Sequence, residues 1–132
     1  MRRMESIQGR TERLRELALE LPASVRECIE ACNDCHQACE QVIPHCLELG
    51  GELAEVSHIR LIQDCAQITS VAADFMMRES GFHARFCALC ADVCLACAGE
   101  CERLEDEDEL LRSCANACRR CADSCAPSAR KH

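Results

Sequence analysis

The sequence predicts an all-α protein: an antiparallel up-down-up-down four-helix bundle with a short extra helix at its N terminus. Three observations favour this fold. Cysteines recur at steps of three and four residues, the spacing of one face of a helix. Glycine is scarce, with 5 in 132 residues, and no alternating apolar run typical of a strand is found. Short breaks then separate long segments, at Leu21-Pro22, Gly50-Gly51, Ser80-Gly81 and the acidic run 105–109.

Residues 1–21 form the predicted N-terminal docking helix, an amphipathic segment that packs outside the main body. The first bundle helix, α1, is expected from Pro22 or Ser24 to Leu49. Ser24 with Glu27 fits a capping box at its start, and the two glycines after Leu49 stop it. Pro44 lies inside α1 and removes one backbone hydrogen bond, so a kink in the last turn is expected.

Three more bundle helices follow. We expect α2 over about Glu52–Arg78, ended by Gly81, α3 over about Phe82–Arg103, and α4 over about Asp106–Ala126, closed by Pro127. Acidic residues at the start of α4 suit the positive end of the helix dipole. Because the connections are short, sequential helices must be antiparallel neighbours. The bundle domain therefore spans residues 22–127, and residues 128–132 form a C-terminal tail.

The chain has 15 cysteines, and the unit C-x3-C-x2-C-x3-C occurs three times, over 28–39, 90–101 and 114–125. This is the a/d pattern of a bundle core. The inward-facing cysteines are Cys28, Cys32, Cys35, Cys39 and Cys46 on α1, Cys65 on α2, Cys87, Cys90, Cys94, Cys97 and Cys101 on α3, and Cys114, Cys118, Cys121 and Cys125 on α4. Helix α2 has one thiol and is predicted to be a mostly apolar wall, made by His58, Leu61, Ile62, Ile68, Ala72, Phe75 and Met76.

Antiparallel packing of these helices predicts layers of thiols along the bundle axis. The expected layers are Cys28 with Met76, His83, Cys87 and Cys125; Cys32 with Ala72, Cys90 and Cys118; Cys35 with Ile68, Cys94 and Cys114; Cys39 with Cys65 and Cys97; and Cys46 with His58 and Cys101. The interior is then a column of sulfur.

A column of soft thiolates indicates Cu(I), zinc or an iron–sulfur cluster. A four-thiolate zinc site carries two net negative charges, and burying several such sites in a narrow bundle is costly. One Cu(I) per thiolate leaves the core neutral, so we predict multiple Cu(I) ions per chain, about one for each cysteine. The alternative that stays open is a zinc-binding or thiol-redox protein, because C-x2-C pairs recur in the repeats.

Composition excludes other classes of protein. The net charge of −8, from 15 basic and 23 acidic residues, and the three aromatic residues argue against binding nucleic acid. The sequence has no apolar run of about 18 residues, so no membrane-spanning helix is expected. The paired arginines at positions 2 and 3 are followed by no apolar segment, so neither a secretory nor a twin-arginine signal is expected, and we predict a cytoplasmic protein. The sequence shows no nucleophile–base pair and no phosphate-binding loop, so we do not expect an enzyme.

The three cysteine repeats over 28–39, 90–101 and 114–125 resemble those of the bacterial copper storage proteins, over residues 22–126. The resemblance implies a cysteine-lined four-helix bundle that stores many Cu(I) ions, as in the cytosolic branch of the family. It also implies assembly as a homotetramer, with copper ions as the bound partner and a copper chaperone or small thiol carrier as a candidate donor. The single thiol on α2 implies a lower capacity than that of more cysteine-rich relatives.

The resemblance further implies His or Met residues near an open bundle end. His58 and His83 continue the inward pattern of their helices, seven residues before Cys65 and four before Cys87, so both are candidate ligands. His36, His45 and Met76 are weaker candidates, and Met77 and His132 are expected in solvent.

Overall fold

The structure is a computed structural model, and it describes residues 9–13 and 21–129. Four long helices make the body: α1 (Ala23–Leu49), α2 (Val56–Met77), α3 (His83–Leu104) and α4 (Glu109–Ala129), with a short 3-10 turn over Gly51–Ala54. Each helix packs against two neighbours, so that α1, α2, α3 and α4 close a ring around one core. The predicted antiparallel four-helix bundle is confirmed.

Most of the predicted N-terminal docking helix, residues 1–8 and 14–20, lies outside the described residues, as do His132 and the rest of the tail from residue 130. Residues 9–13 are helical and exposed. Leu21 packs against the bundle core. None of the helices among the described residues is long and apolar enough to cross a lipid bilayer.

The start of α1 differs from the predicted capping box. Its N-cap residue is Pro22, whose carbonyl accepts hydrogen bonds from the Val25 and Arg26 N–H groups, and no side chain in the described part of the chain caps this end. Proline is suited here because it has no N–H that would need a partner. Pro44 lies within α1, which continues to Leu49. The residue that caps this end is Gly50, which has a positive φ of 73°.

Helix α2 begins at Val56, four residues later than predicted. Gly50 and Gly51 both have positive φ, and the 3-10 turn that follows ends at Glu55, which is extended with ψ of 145°. An extended residue interrupts the helical hydrogen bonds, so the segment predicted as the first turn of α2 is a separate element.

Helix α2 ends with a Schellman motif that uses a glutamate in place of the predicted glycine. Glu79 is left-handed, with φ of 51°. The Ser80 N–H donates to the Phe75 carbonyl and the Glu79 N–H to the Met76 carbonyl, which satisfies the last carbonyls of the helix. Gly81 therefore lies two residues beyond the residue that reverses the chain.

Helix α4 begins at Glu109 and passes through Pro127 to Ala129, so Pro127 does not close it. Asp106 and Glu107, predicted inside the helix, are left-handed instead. Asp108 is the cap: its Oδ1 accepts a hydrogen bond from the Leu111 N–H at 2.9 Å. A carboxylate at this position satisfies an unpaired N–H and faces the positive end of the helix dipole.

Small residues let the four helices approach closely. Alanines lie beside the cysteines in the core, at Ala31, Ala66, Ala72, Ala73, Ala91, Ala98, Ala115 and Ala122. The distance between packed helices depends on the side chains at the contact, and here those are mostly methyl and thiol groups. The larger fully buried side chains are few: Val42, His58, Ile62, Thr69, Met76 and Leu111.

Candidate metal centre

All 15 cysteines lie in the bundle interior. Each side chain is at most 1% exposed, and each is a free thiol. The three repeats place twelve of them, because steps of four, three and four residues keep one face of a helix turned to the axis, and Cys46, Cys65 and Cys87 lie outside the repeats. The repeats were thus sufficient to predict that these twelve residues point inward.

The repeats on α1 and α4 pair step by step. Their spacing is the same read in either direction, so two antiparallel copies match along their whole length. The pairs and their Sγ–Sγ distances are Cys28 with Cys125 at 3.5 Å, Cys32 with Cys121 at 3.6 Å, Cys35 with Cys118 at 3.6 Å and Cys39 with Cys114 at 3.9 Å.

This register corrects two predicted layers. Cys32 contacts Cys121 and Cys125 rather than Cys118, and Cys35 contacts Cys118 rather than Cys114. The error is one step of the repeat. Because α1 and α4 are not consecutive, no short loop fixes their register, and the spacing alone permits several matches. The pairing of Cys28 with Cys125 is confirmed.

Helices α2 and α3 complete the column. Cys90 on α3 lies 3.8 Å from Cys121. The single thiol of α2, Cys65, contacts one cysteine on each of the other three helices, at 3.8 Å to Cys35, 3.7 Å to Cys94 and 3.9 Å to Cys118. Cys65 is therefore a central member of the column although its helix has only one cysteine.

The wall formed by α2 also differs in part from the prediction. Ile62, Ala72 and Met76 are buried as expected, whereas Leu61, Ile68 and Phe75 are only half-buried. Thr69 is fully buried in their place, and its hydroxyl donates to the Cys65 carbonyl at 2.8 Å. That bond back to its own helix satisfies the hydroxyl, which is why a polar residue is tolerated here.

Three groups of thiols lie close enough to share a metal ion. Within each group all sulfur atoms are within 4.8 Å of one another: Cys32, Cys90, Cys121 and Cys125; Cys35, Cys39, Cys65 and Cys118; and Cys35, Cys94 and Cys121. Cys35 and Cys121 each belong to two groups. Neighbouring sites therefore share ligands, as bridging thiolates require.

The sulfur spacing suits metal better than disulfides. A disulfide needs its sulfur atoms about 2.05 Å apart, and the contacts here are 3.5–4.0 Å. Two thiolates on either side of one Cu(I) span on the order of 4–4.5 Å, since each bond is somewhat shorter than the ~2.3 Å of zinc–thiolate. Small side-chain movements in the existing bundle reach that span.

Burial raises the pKa of the thiols in the column and so favours their protonated form when no metal is bound. It raises the pKa of Cys46 to about 11, with smaller contributions from the charges of Cys114 and Asp108. Where thiols touch, they share protons unevenly. Contacts with Cys114 and Cys97 raise the pKa of Cys101, while contact with Cys101 lowers that of Cys97. Each thiol that holds its proton must release it when it binds metal.

One end of the column holds a buried histidine. His58, only 2% exposed, places its Nε2 3.5 Å from the Sγ of Cys46. Its other ring nitrogen faces the Glu100 carboxylate at 3.8 Å. Hydrogen bonds from Arg103 lower the pKa of Glu100, which stays ionised. The sequence predicted His58 at this end but gave no signal for Glu100, because a half-exposed glutamate beside Cys101 resembles any surface residue of a helix.

The opposite end holds His83 and Met76. They line a cavity of about 230 Å³ with Leu21, Pro22, Val25 and Glu79. Met76 is buried, and the half-buried His83 donates from Nδ1 to the Ser80 carbonyl at 2.7 Å. A carbonyl can only accept a hydrogen bond, so Nδ1 is the protonated ring nitrogen in this contact.

His36 and His45 are engaged away from the column. His36 donates from Nδ1 to the Ala66 carbonyl at 2.6 Å, which ties α1 to α2. His45 donates from Nε2 to Asp108 Oδ2 at 2.7 Å, which ties α1 to the start of α4. Both residues have structural contacts in this bundle.

The sequence profile of the copper storage protein (Csp) family matches residues 22–130, which is most of the chain and the whole of the bundle. The chain belongs to the copper storage protein family.

Solved structures of other family members share this bundle. The Cu(I)-bound copper storage protein BsCsp3 from Bacillus subtilis is 39% identical, with a TM-score of 0.73 over 80% of this chain and 98% of that one. Ccsp from Streptomyces lividans, loaded with 10 copper equivalents, is 31% identical, with a TM-score of 0.76 over 88% of this chain and 97% of that one.

A curated relative, the uncharacterised cysteine-rich protein YhjQ of Bacillus subtilis, is 42% identical over 66 residues. That match covers 50% of this chain and 61% of the relative. The profile and the solved structures establish the fold and the family of this copper storage protein. The thiol column is the part of the bundle whose side chains are soft ligands of the kind that bind copper.

Proposed function

We propose that this chain stores Cu(I) ions along its thiol column, about one for each of the 15 cysteines. The observation that carries the proposal is the continuity of the column. Sulfur contacts of 3.5–4.0 Å lead from the Cys28–Cys125 pair to Cys118 through all four helices, and Cys39, which is 3.9 Å from Cys114, lies within 4.8 Å of Cys35, Cys65 and Cys118. No gap divides the interior into isolated sites of a single metal.

Charge determines the metal and the number of ions. Each Cu(I) that displaces one thiol proton leaves the charge of the core unchanged, so adding ions does not accumulate buried charge. A zinc ion held by four thiolates leaves two negative charges, and the shared ligands Cys35 and Cys121 would place such sites side by side. Bridging thiolates let one cysteine serve two Cu(I) ions, which matches that sharing.

The ligands we propose are the 15 cysteines along the column and, at its two ends, His58 and His83. His58 Nε2 lies beside Cys46, and His83 lines the cavity beside Met76 at the other end. A neutral imidazole adds a ligand without adding charge. These residues would hold the first or last ion in the line, where solvent is near.

The chemistry of the column is that of a store and not of a catalyst. The described part of the interior presents thiols, methyl groups and few other polar side chains, so binding of a soft metal ion is the chemistry that we propose for it. The related Ccsp of Streptomyces lividans is described as cytosolic, and we propose the same location here, where reducing conditions keep the thiols free. A copper chaperone or small thiol carrier is the proposed copper donor.

We further propose a homotetramer. Apolar side chains are exposed on α2 and α3, and a groove between these helices is lined by Ile68, Val71, Phe86, Leu89 and Val93. Leu89 and Leu95 on α3 are about half exposed, at 51% and 45%. Contiguous apolar surface of this kind indicates a contact between proteins.

Metal selectivity tests the proposed function. Reduced, metal-free protein is offered Cu(I) and Zn(II) together under nitrogen, and the bound metals are measured after gel filtration. We expect copper in large excess over zinc. A chain that retains mainly zinc, about one ion per four thiols, supports the zinc alternative, and a chain that binds neither metal but forms disulfides reversibly supports the redox alternative.

A further inference from the structure

The buried ring of His58 has one nitrogen whose hydrogen bond is not made in this structure. Nε2 lies beside Cys46, but the buried Nδ1 has no hydrogen-bond partner among the described residues. Leaving a buried polar atom without a partner destabilises the folded state. Such an atom in a native core calls for a partner nearby, and the carboxylate of Glu100 is 3.8 Å away.

Glu100 is held in place from the opposite side. Arg103 donates to both of its oxygens, at 2.7 Å from Nη2 to Oε1 and 3.3 Å from Nε to Oε2. Arg103 in turn donates to Glu52 at 3.2 Å, in the 3-10 turn that precedes α2. The carboxylate is thus fixed between an arginine outside the bundle and a histidine inside it.

The chemistry of the two groups determines which nitrogen bears the proton. An ionised carboxylate only accepts hydrogen bonds, so the nitrogen that faces it is the one with N–H. The neutral ring then has its lone pair on Nε2, on the side of Cys46 and the column. Metal-binding histidines commonly donate their second ring N–H to a carboxylate, which fixes the tautomer and the orientation of the ring.

We propose that Glu100 is a positioning residue for copper at this end of the column: it holds His58 as the Nδ1–H tautomer and so presents Nε2, with the Cys46 thiolate, to an incoming Cu(I) ion. The proposal rests on the proposed storage function and adds a residue that binds no copper itself. On binding, the Cys46 proton leaves to solvent and Cu(I) takes its place between sulfur and nitrogen, with no change in oxidation state. The His58–Glu100 hydrogen bond then closes from 3.8 Å.

The first test needs no copper. Ring ¹⁵N–¹H spectra of the reduced, metal-free protein report the tautomer of each of the five histidines, and His58→Ala identifies the signal of His58. We expect Nδ1–H in the wild-type chain and a shift toward Nε2–H in Glu100→Gln. Glu102→Gln is the matched control, because Glu102 makes the same kind of surface ion pair, with Arg119, two residues along α3. Nε2–H in the wild type, or no change in Glu100→Gln, overturns the proposal.

The second test measures copper removal by a chelator. In Glu100→Gln we expect the most readily removed ion to be held about tenfold more weakly, the usual effect of losing such a carboxylate, while Glu102→Gln behaves as wild type. In a His58→Ala background, Glu100→Gln should have no further effect. If it weakens binding equally there, Glu100 acts through the general field or the fold and the proposal is wrong. Failure of storage itself would appear separately, as low capacity of the wild-type chain with the tautomer unchanged.

Discussion

A buried cysteine in this bundle serves the protein in two protonation states. As a neutral thiol it packs as a small apolar side chain and makes weak hydrogen bonds to neighbouring sulfur atoms. As a thiolate it is a soft ligand for a monovalent metal ion. Because Cu(I) replaces the proton one for one, the electrostatic conditions of the core are the same in both states, and the same side chains serve empty and full bundles.

The position of a cysteine in the column determines how many ions depend on it. Cys121 lies 3.6 Å from Cys32 and 3.8 Å from Cys90 and belongs to two of the three thiol groups, whereas Cys46 is at the end, beside His58. We expect Cys121→Ala to lower Cu(I) capacity by about two ions and Cys46→Ala by about one. Capacity is measured by anaerobic titration of each variant, and equal losses from the two would contradict bridging thiolates.

The raised pKa of Cys46 predicts how stability depends on pH without metal. The pKa of Cys46 is about 11 in the folded protein and about 8.5 in the unfolded chain. The contribution of this thiol to stability is therefore complete below about pH 8.5 and is lost as the pH rises through about 11. The urea midpoint of the reduced, metal-free protein should therefore fall from about pH 8 to about pH 10.5. The copper-loaded protein is the control, because its thiols have no protons to lose. A metal-free midpoint that stays constant or rises would refute this account.

At the scale of the helices, the capping residues differ most from what the sequence indicated. The predicted capping box at Ser24 is not formed, because Pro22 occupies the N-cap position of α1. Asp108 has two roles. The sequence did not indicate them, because Asp108 is one of five consecutive acidic residues. Its Oδ1 caps α4 and its Oδ2 accepts from His45 on α1, so one carboxylate fixes both the start of a helix and its contact with a neighbour.

This difference is testable with a pair of alanine variants. Asp108→Ala removes a helix cap and should lower the free energy of unfolding by about 1–2 kcal/mol. Ser24→Ala removes a hydroxyl that makes no cap and should change it by less than about 0.5 kcal/mol. Urea unfolding of the reduced, metal-free variants gives both values, and a larger loss from Ser24→Ala would mean that the N-terminus of α1 is capped differently in solution.

The helices and their inward faces could be predicted from the sequence because both depend on local spacing. Steps of three and four residues turn one face to the axis whatever the partner, so the burial of Cys32 or Cys121 needed no knowledge of the other helices. The α4 partners of Cys32 and Cys35 were wrong by one step, although that of Cys28 was right, because register is a property of two distant segments with identical repeats. Glu100 was missed because its role depends on His58, which another helix brings beside it. Thr69 was missed for a different reason: its hydroxyl bonds to the carbonyl of Cys65 on the same helix, which allows a polar residue to be buried.

Considered as a whole molecule, the bundle should fold without metal. Its four helices are long, they close a ring, and their thiols pack as apolar groups at 0–1% exposure. In this respect it differs from a zinc finger, whose folding free energy comes from the metal. Circular dichroism of the reduced, metal-free chain should show a highly helical protein, with little gain in helicity when copper is added. A chain that is mostly coil until copper binds would show that the thiol core does not hold the helices together.

The measurement that tests the central claim most directly is an anaerobic titration of the reduced protein with Cu(I) in competition with a strong chelator, with proton release followed in the same experiment. A neutral column of bridged thiolates predicts saturation at about 15 ions per chain, with about one proton released per ion. Saturation at about four ions or fewer, or release of two or more protons per ion throughout, would mean isolated charged sites and would contradict the account.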